Sequence, residues 1–269
     1  MSKPLDLGRF HILPGRRLVF IVGEVDTRSG SVARLLSLLE KERIRVCSAC
    51  VHIDGERARL LAFLDVTDSV IPVEEIGRAP EAFGLMKVEA VVKSPAEGFA
   101  ADAVSSPLTA GSERAVIFRE TGYRELLAGI REYYGASGEN FLYHIGFRAG
   151  MGFGRLHREA AEKLGIRDPE LIYKTISTSM FQWAGFGRMQ VVEFKQDHGE
   201  LMVYDSFECK LGKRRSVTYS HFVRGIIAGV LAELFGRAYN VVEEECIAMG
   251  APACRFKVRA LPKDKPAQP

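Results

Sequence analysis

Between Ser94 and Ser112 the chain loses all sustained periodicity, and its composition shifts to Ala, Ser, Pro and Gly. A stretch of that kind connects packed elements and is not one itself. It divides 269 residues into two segments, each with its own regular apolar patterning. A chain of this length exceeds the usual single domain, so two domains are expected. The expected boundaries are 1–94, a linker over 95–112, a second domain over 113–260 and a frayed tail over 261–269. An apolar fraction of 47% excludes wholesale disorder. The 37 Lys and Arg are interspersed with 34 Asp and Glu, so neither nucleic acid nor a membrane surface is an expected partner. Lys213-Arg214-Arg215 reads as a solvated loop. No apolar stretch reaches the ~18–20 residues of a membrane span. With no signal peptide read at the start, five cysteines predict a reducing, cytoplasmic setting.

In the first segment, Leu18-Val19-Phe20-Ile21-Val22 is apolar at consecutive positions and reads as a buried strand. Ser29 or Ser31 can cap the helix after it, whose apolar face is Val32, Leu35, Leu36, Leu38 and Leu39. Strands over 45–53 and 58–66 are joined by Asp54-Gly55, a strong hairpin signal. A helix over 73–83 and a strand over 86–92 complete the order βαββαβ, which folds as an antiparallel sheet with both helices on one face. This ferredoxin-like order, with Asp26-Thr27-Arg28-Ser29-Gly30-Ser31-Val32 at its first turn, resembles an ACT regulatory domain. Cys47 and Cys50 have the spacing of redox or zinc pairs, but a strand sends residues three apart to opposite faces. The pair therefore reads as two small sheet residues.

The second segment reads as a short strand over 115–118 and helices over 122–134, 139–164 and 169–183. Strands over 189–196 and 201–211 follow, then a helix over 217–235 and a closing strand pair over 239–247 and 254–258. The fold class expected is α+β, with an antiparallel sheet and packed helices in each half.

One stretch combines residue type and spacing into a chemical site: Glu243-Glu244-Glu245-Cys246-Ile247-Ala248-Met249-Gly250-Ala251-Pro252-Ala253-Cys254. Thiolate and carboxylate both ligate a borderline-soft ion such as zinc. Gly250 and Pro252 supply a tight turn that lets the two sulfurs approach. On spacing alone the two cysteines are equally well small buried hydrophobes. The pattern Gly225, Gly229, Phe235-Gly236, Tyr239, Glu243, Cys246, Gly250 and Cys254-Arg255-Phe256 resembles the end of a 4-vinyl reductase domain. That family includes a bacteriochlorophyll-biosynthesis protein and the aromatic-sensing modules of bacterial transcription activators. The resemblance extends back to about Glu113, through Ser206-Phe207-Glu208 and Leu142-Tyr143-His144-Ile145-Gly146. It implies zinc, held in sensor members by a cysteine, then a glutamate and two cysteines. Glu243, Cys246 and Cys254 match the last three. At the place of the first cysteine this sequence has Ser220, followed by His221. His221 leads as the fourth ligand, with Cys209 or water as alternatives.

The resemblance also implies a pocket for a small hydrophobic ligand between sheet and helices, and His144, Phe147, Trp183 and Tyr204 are the candidate contacts. An ordinary aromatic core is the plain alternative. No nucleophile elbow, Walker loop or dinucleotide turn is present, so the sequence leans away from an enzyme. The expected function is small-molecule binding or sensing. The alternatives are an enzyme or accessory acting on a vinyl-bearing tetrapyrrole, and a non-catalytic scaffold. A homodimer is expected through the helix 222–235, whose apolar surface is wide and whose Gly225 and Gly229 permit a close backbone approach.

Overall fold

A computed structural model describes residues 4–26, 30–212 and 216–262. The first-turn motif at 27–29, the basic run 213–215 and most of the expected tail lie outside the described residues. The chain forms two compact units, Met1–Val116 and Ile117–Pro269, both mixed α+β with antiparallel sheets.

In the first unit, β1 is Phe10–Ile12, β2 Leu18–Asp26, α1 Ser31–Lys41, β3 Arg45–Asp54, β4 Arg57–Asp65, α2 Arg78–Ala82, β5 Lys87–Lys93 and β6 Phe99–Ala101. The main sheet runs β3-β4-β2-β5 with antiparallel neighbours. Asp54 pairs with Arg57 across the expected hairpin, where Gly55 takes φ 60°. The second helix is shorter than expected. Pro80 lacks an amide hydrogen and fits only a first turn, so the helix starts at Arg78.

A run apolar at every position needs cover on both faces, and the sheet receives it. Val19, Ile21, Leu60 and Leu64 pack with Leu35 and Leu39 of α1. Phe20, Val22, Leu61 and Phe63 pack on the other face with Ala100 of β6. β6 pairs with β1, so the expected linker begins as part of this core. Further along it, β7 (Thr109–Ala110) and β8 (Glu113–Arg114) form a small hairpin, and no strand forms over 115–118. Cys50 is exposed on β3, and Cys47 packs beneath the second face.

In the second unit, α3 spans Glu120–Lys163, α4 Pro169–Ile172, α5 Thr178–Trp183, β9 Arg188–Phe194, β10 His198–Tyr204, α6 Phe207–Leu211, α7 His221–Phe235, β11 Tyr239–Glu245 and β12 Cys254–Ala260. The two helices expected over 122–164 are one element broken at Gly135, whose φ 53° and ψ −133° only glycine adopts readily. The sheet runs β11-β12-β10-β9. Its inner face (Leu201, Val203, Val241, Phe256, Val258) packs on Ile226, Ile227, Val230 and Leu231 of α7. Burying each such side chain stabilises by about 1.5–3 kcal/mol.

The opposite side of α7 is covered by α3. A Cβ on Gly225 would lie 2.2 Å from Tyr143 O, and one on Gly146 would lie 2.1 Å from Phe222 O. The close backbone approach read from the glycines is real, but the partner is α3 of the same chain. The wide apolar surface of α7 is thus consumed internally, which removes it as the expected dimer face.

Candidate metal centre

β10 ends earlier than its apolar pattern suggests. Asp205 takes a left-handed φ of 59°, which breaks the strand and turns the chain into α6. Cys209 thereby enters the core instead of continuing along a strand edge. On β11, Tyr239, Val241 and Glu243 alternate inward. Cys246 follows, a single 3-10 turn over Ile247–Met249 reverses the chain, Gly250 takes φ 97°, and Cys254 opens β12. The result is a buried group of Cys209, Glu243, Cys246 and Cys254 whose donor atoms all lie within 4.8 Å of one another. This group could hold a metal ion.

Backbone amides are aimed at it. Ile247 N–H donates to Cys254 Sγ and Ala248 N–H to Cys246 Sγ, each at 3.4 Å. Ser220 N–H donates to Glu243 Oε2 at 3.2 Å, and the Cys209 thiol reaches Glu243 Oε1 at 3.6 Å. Burial pushes the Glu243 carboxyl up to about 7. Hydrogen bonds from the Cys209 and Cys254 thiols favour the thiolate at Cys246. Cys209 is raised by its bond to Cys246 and by burial. The protons of four acids in one buried site are therefore strongly coupled, and an added cation competes directly with them.

Three of the four expected ligands are brought together, and the fourth is not. His221 stands in the first turn of α7 with Nε2 3.7 Å from Glu139 Oε2, outside the group. Ser220 and His221 leave the β11 side as α7 begins, whereas α6 drives Cys209 into it. Cys209, the alternative on sequence, takes the fourth position.

The four expected ligand contacts do not converge. Phe147 packs against the core. His144 is exposed on α3, and Trp183 is 69% exposed at the end of α5. Leu201 and Val203 point inward, so Tyr204 falls between inner and outer faces by alternation and lies under the Arg188 guanidinium, 4.2 Å from its ring centre. The aromatic seam between helices and sheet is built instead from Phe153, Phe181, Phe186 and Phe222, with ring centres 5.4–6.5 Å apart. Among the described residues of this unit, the buried hydroxyls without partners are Tyr143 OH, Ser206 Oγ and Ser220 Oγ.

Sequence reasoning also missed Arg131 and Tyr123. Arg131 Nη2 forms a buried ion pair with Glu208 and donates to Tyr219 O at 2.7 Å. A lone arginine in a helical pattern carries no signal of burial, because its partner is 77 residues away.

Comparison with known proteins fits this geometry. Residues 200–260 match the vinyl-4-reductase domain family. An uncharacterized protein of Methanocaldococcus jannaschii is 31% identical over 148 residues, covering 54% of this chain and 58% of that relative. The chain thus spans little more than half of that relative's length. The phenol-responsive sensory domain of the transcription activator PoxR, solved with phenol, is similar at a TM-score of 0.51 and 17% identity, over 56% of this chain and 78% of that one. A vinyl-4-reductase family protein from M. jannaschii matches at a TM-score of 0.39 and 20% identity, over 56% of this chain and 86% of that one. The PoxR likeness shows a common fold. No helix among the described residues is long and apolar enough to cross a membrane.

Proposed function

We propose that the second unit is a sensor-type small-molecule-binding module, stapled by a structural zinc ion on Cys209, Glu243, Cys246 and Cys254. The observation that carries the metal is the closure of four donors within one buried group. Zinc bonds of about 2.3 Å to sulfur and 2.0–2.2 Å to oxygen separate the two by about 3.5 Å in a tetrahedron. Cys209 Sγ and Glu243 Oε1 stand 3.6 Å apart. Three thiols and one carboxylate suit a borderline-soft ion and not calcium or magnesium. Four protein donors leave no open position, so the ion would supply folding free energy and no reaction centre. Ser220, Ile247 and Ala248 would orient the donors through their amides.

What supports the ligand half is the fold shared with a phenol-responsive domain, together with the aromatic seam and the unpartnered hydroxyl of Tyr143, which is 2% exposed. A small hydrophobic molecule carrying one polar group would satisfy both. Phe147 is the one sequence-derived contact placed to touch it. The first unit, whose βαββαβ order supports an ACT-like reading, would supply regulation or assembly. The five unpaired cysteines support a reducing, cytoplasmic setting.

Elemental analysis of protein purified without chelators is expected to give about one zinc per chain, and none would overturn the metal reading. Native mass spectrometry is expected to retain a small hydrophobic molecule. Turnover of a vinyl-bearing tetrapyrrole that depends on added reductant would replace the sensor reading with an enzymatic one. With neither a retained molecule nor turnover, a scaffold is left.

A further inference from the structure

Three consecutive residues of α6 face three different parts of the second unit. Phe207 stacks against Tyr123 of α3, ring centres 5.2 Å apart. Glu208 accepts from Phe222 N–H at 3.0 Å and Val223 N–H at 2.8 Å, capping α7, and is ion-paired to Arg131 of α3. Cys209 enters the metal-binding group. Both α3 residues lie before the break at Gly135, in the arm over residues 120–134. Arg131 adds a bond to Tyr219 O and lies 3.9 Å over the Tyr219 ring, and Leu127 between the two contacts is buried.

The two halves of α3 are held by different means. Beyond the break, Gly146, Gly150 and Gly154 seat the helix on the backbone and side chains of α7. That half does not depend on α6. The arm does, and α6 is a five-residue helix with no side-chain cap. Helices so short have no stability of their own and exist only as their contacts hold them. Its anchor into the core is Cys209, fully buried.

We propose that α6 is a two-sided latch: metal on its Cys209 side fixes the helix, and the fixed helix docks the arm of α3 through Phe207 and Glu208. Metal loading then orders residues 120–134 while leaving 139–163 as it was. This rests on the zinc reading above, and it makes the state of the arm the output of the metal site. Coupling is reciprocal, so freeing the arm must weaken the ion by the same factor.

The test uses the full chain and zinc itself. Zinc stoichiometry is measured first, and amide hydrogen exchange is then followed in zinc-loaded, chelator-stripped and zinc-restored protein. Stripping is expected to speed exchange over 120–134 and 207–211 by about tenfold or more, with 139–163 unchanged, and restored zinc to reverse it. Tyr123→Ala, in loaded protein, is expected to free the arm and to raise the zinc dissociation constant about fivefold in chelator competition. No zinc uptake would fell both the metal reading and the latch. Zinc bound but no change in the arm on stripping would fell the latch alone, as would an equal rise over 139–163. A freed arm in Tyr123→Ala with unaltered zinc competition would do so even where stripped protein unfolds.

Discussion

Replacing Gly229 by alanine sets two rules against each other. Alanine is favoured over glycine within a helix by about 1 kcal/mol, so propensity alone predicts a more stable protein. The structure predicts the reverse. A Cβ at Gly229 would lie 2.1 Å from Phe147 O, 2.8 Å from Met151 N and 3.0 Å from Gly150 Cα. All three are backbone atoms, so no side chain can swing aside. Restoring ordinary contact needs α3 and α7 to separate by about 1 Å, which also unseats Gly146, Gly150 and Gly225. Overpacking of this kind costs about 1–3 kcal/mol, and the rigid neighbours put it at the upper end. After the propensity gain, a net loss of about 2 kcal/mol remains, or roughly 4–8 °C in Tm for a unit of this size. Gly129 on the α3 arm is the internal control, because a Cβ there would meet nothing within 4 Å. Gly129→Ala is expected to gain about 0.5–1 kcal/mol. Chemical denaturation of both variants decides the matter. A Gly229→Ala protein as stable as Gly129→Ala would refute the close-packed helix pair.

Cys209→Ser is expected to abolish stoichiometric zinc while His221→Ala retains it, as read by elemental analysis; the reverse pattern would restore His221 as ligand. Cys246→Ser should lower Tm well beyond Cys47→Ser, since losing a structural ion at 100 times its Kd removes about 2.7 kcal/mol. Burial lowers His157 to about 4, its Nδ1 bonded to Ser177 Oγ at 2.9 Å. The unfolded chain takes up that proton first as pH falls below the ordinary value of 6.5, so stability is full above 6.5 and drains away down to about 4. His157→Gln should flatten that slope by up to about 3 kcal/mol relative to the parent, and parallel curves would remove His157 as the cause. The homodimer, now without α7 as its face, still has a candidate in the α3 side chains Tyr133, Tyr134 and Phe141, all exposed. Light scattering at micromolar concentration should return twice the chain mass.

Where a local rule governs, the sequence was readable. The consecutive apolar run at Leu18–Val22 demanded a sheet covered twice, Asp54-Gly55 demanded a hairpin, and inward alternation on β11 set Glu243 beside the turn that joins Cys246 to Cys254. The errors arise where one residue overrides its neighbours. Left-handed Asp205 ends β10 and converts an apparent strand into α6, and that single turn decides between Cys209 and His221. The glycines at 225 and 229 announced a close backbone approach without saying whose. Tyr204 was an avoidable miss, since alternation with Leu201 and Val203 already assigns it to the other face. Arg131 and Glu208 were beyond reach, because nothing local reveals a pairing across 77 positions.

The β1–β6 pairing has a consequence for how the first unit can travel between proteins. Phe10 lies opposite Ala101 and Ile12 opposite Phe99, so the two ends of the unit's chain leave side by side. A body whose two ends are neighbours behaves as a cassette: it can be spliced into a surface loop of a host with little strain, or have its ends sealed and be reopened at the Gly55 turn. The same clasp marks where such a cassette must be cut. Ending it at Ser94 would strip β6 from Phe20 and Phe63 and leave an aromatic face bare, whereas an end after β6 carries its own lid.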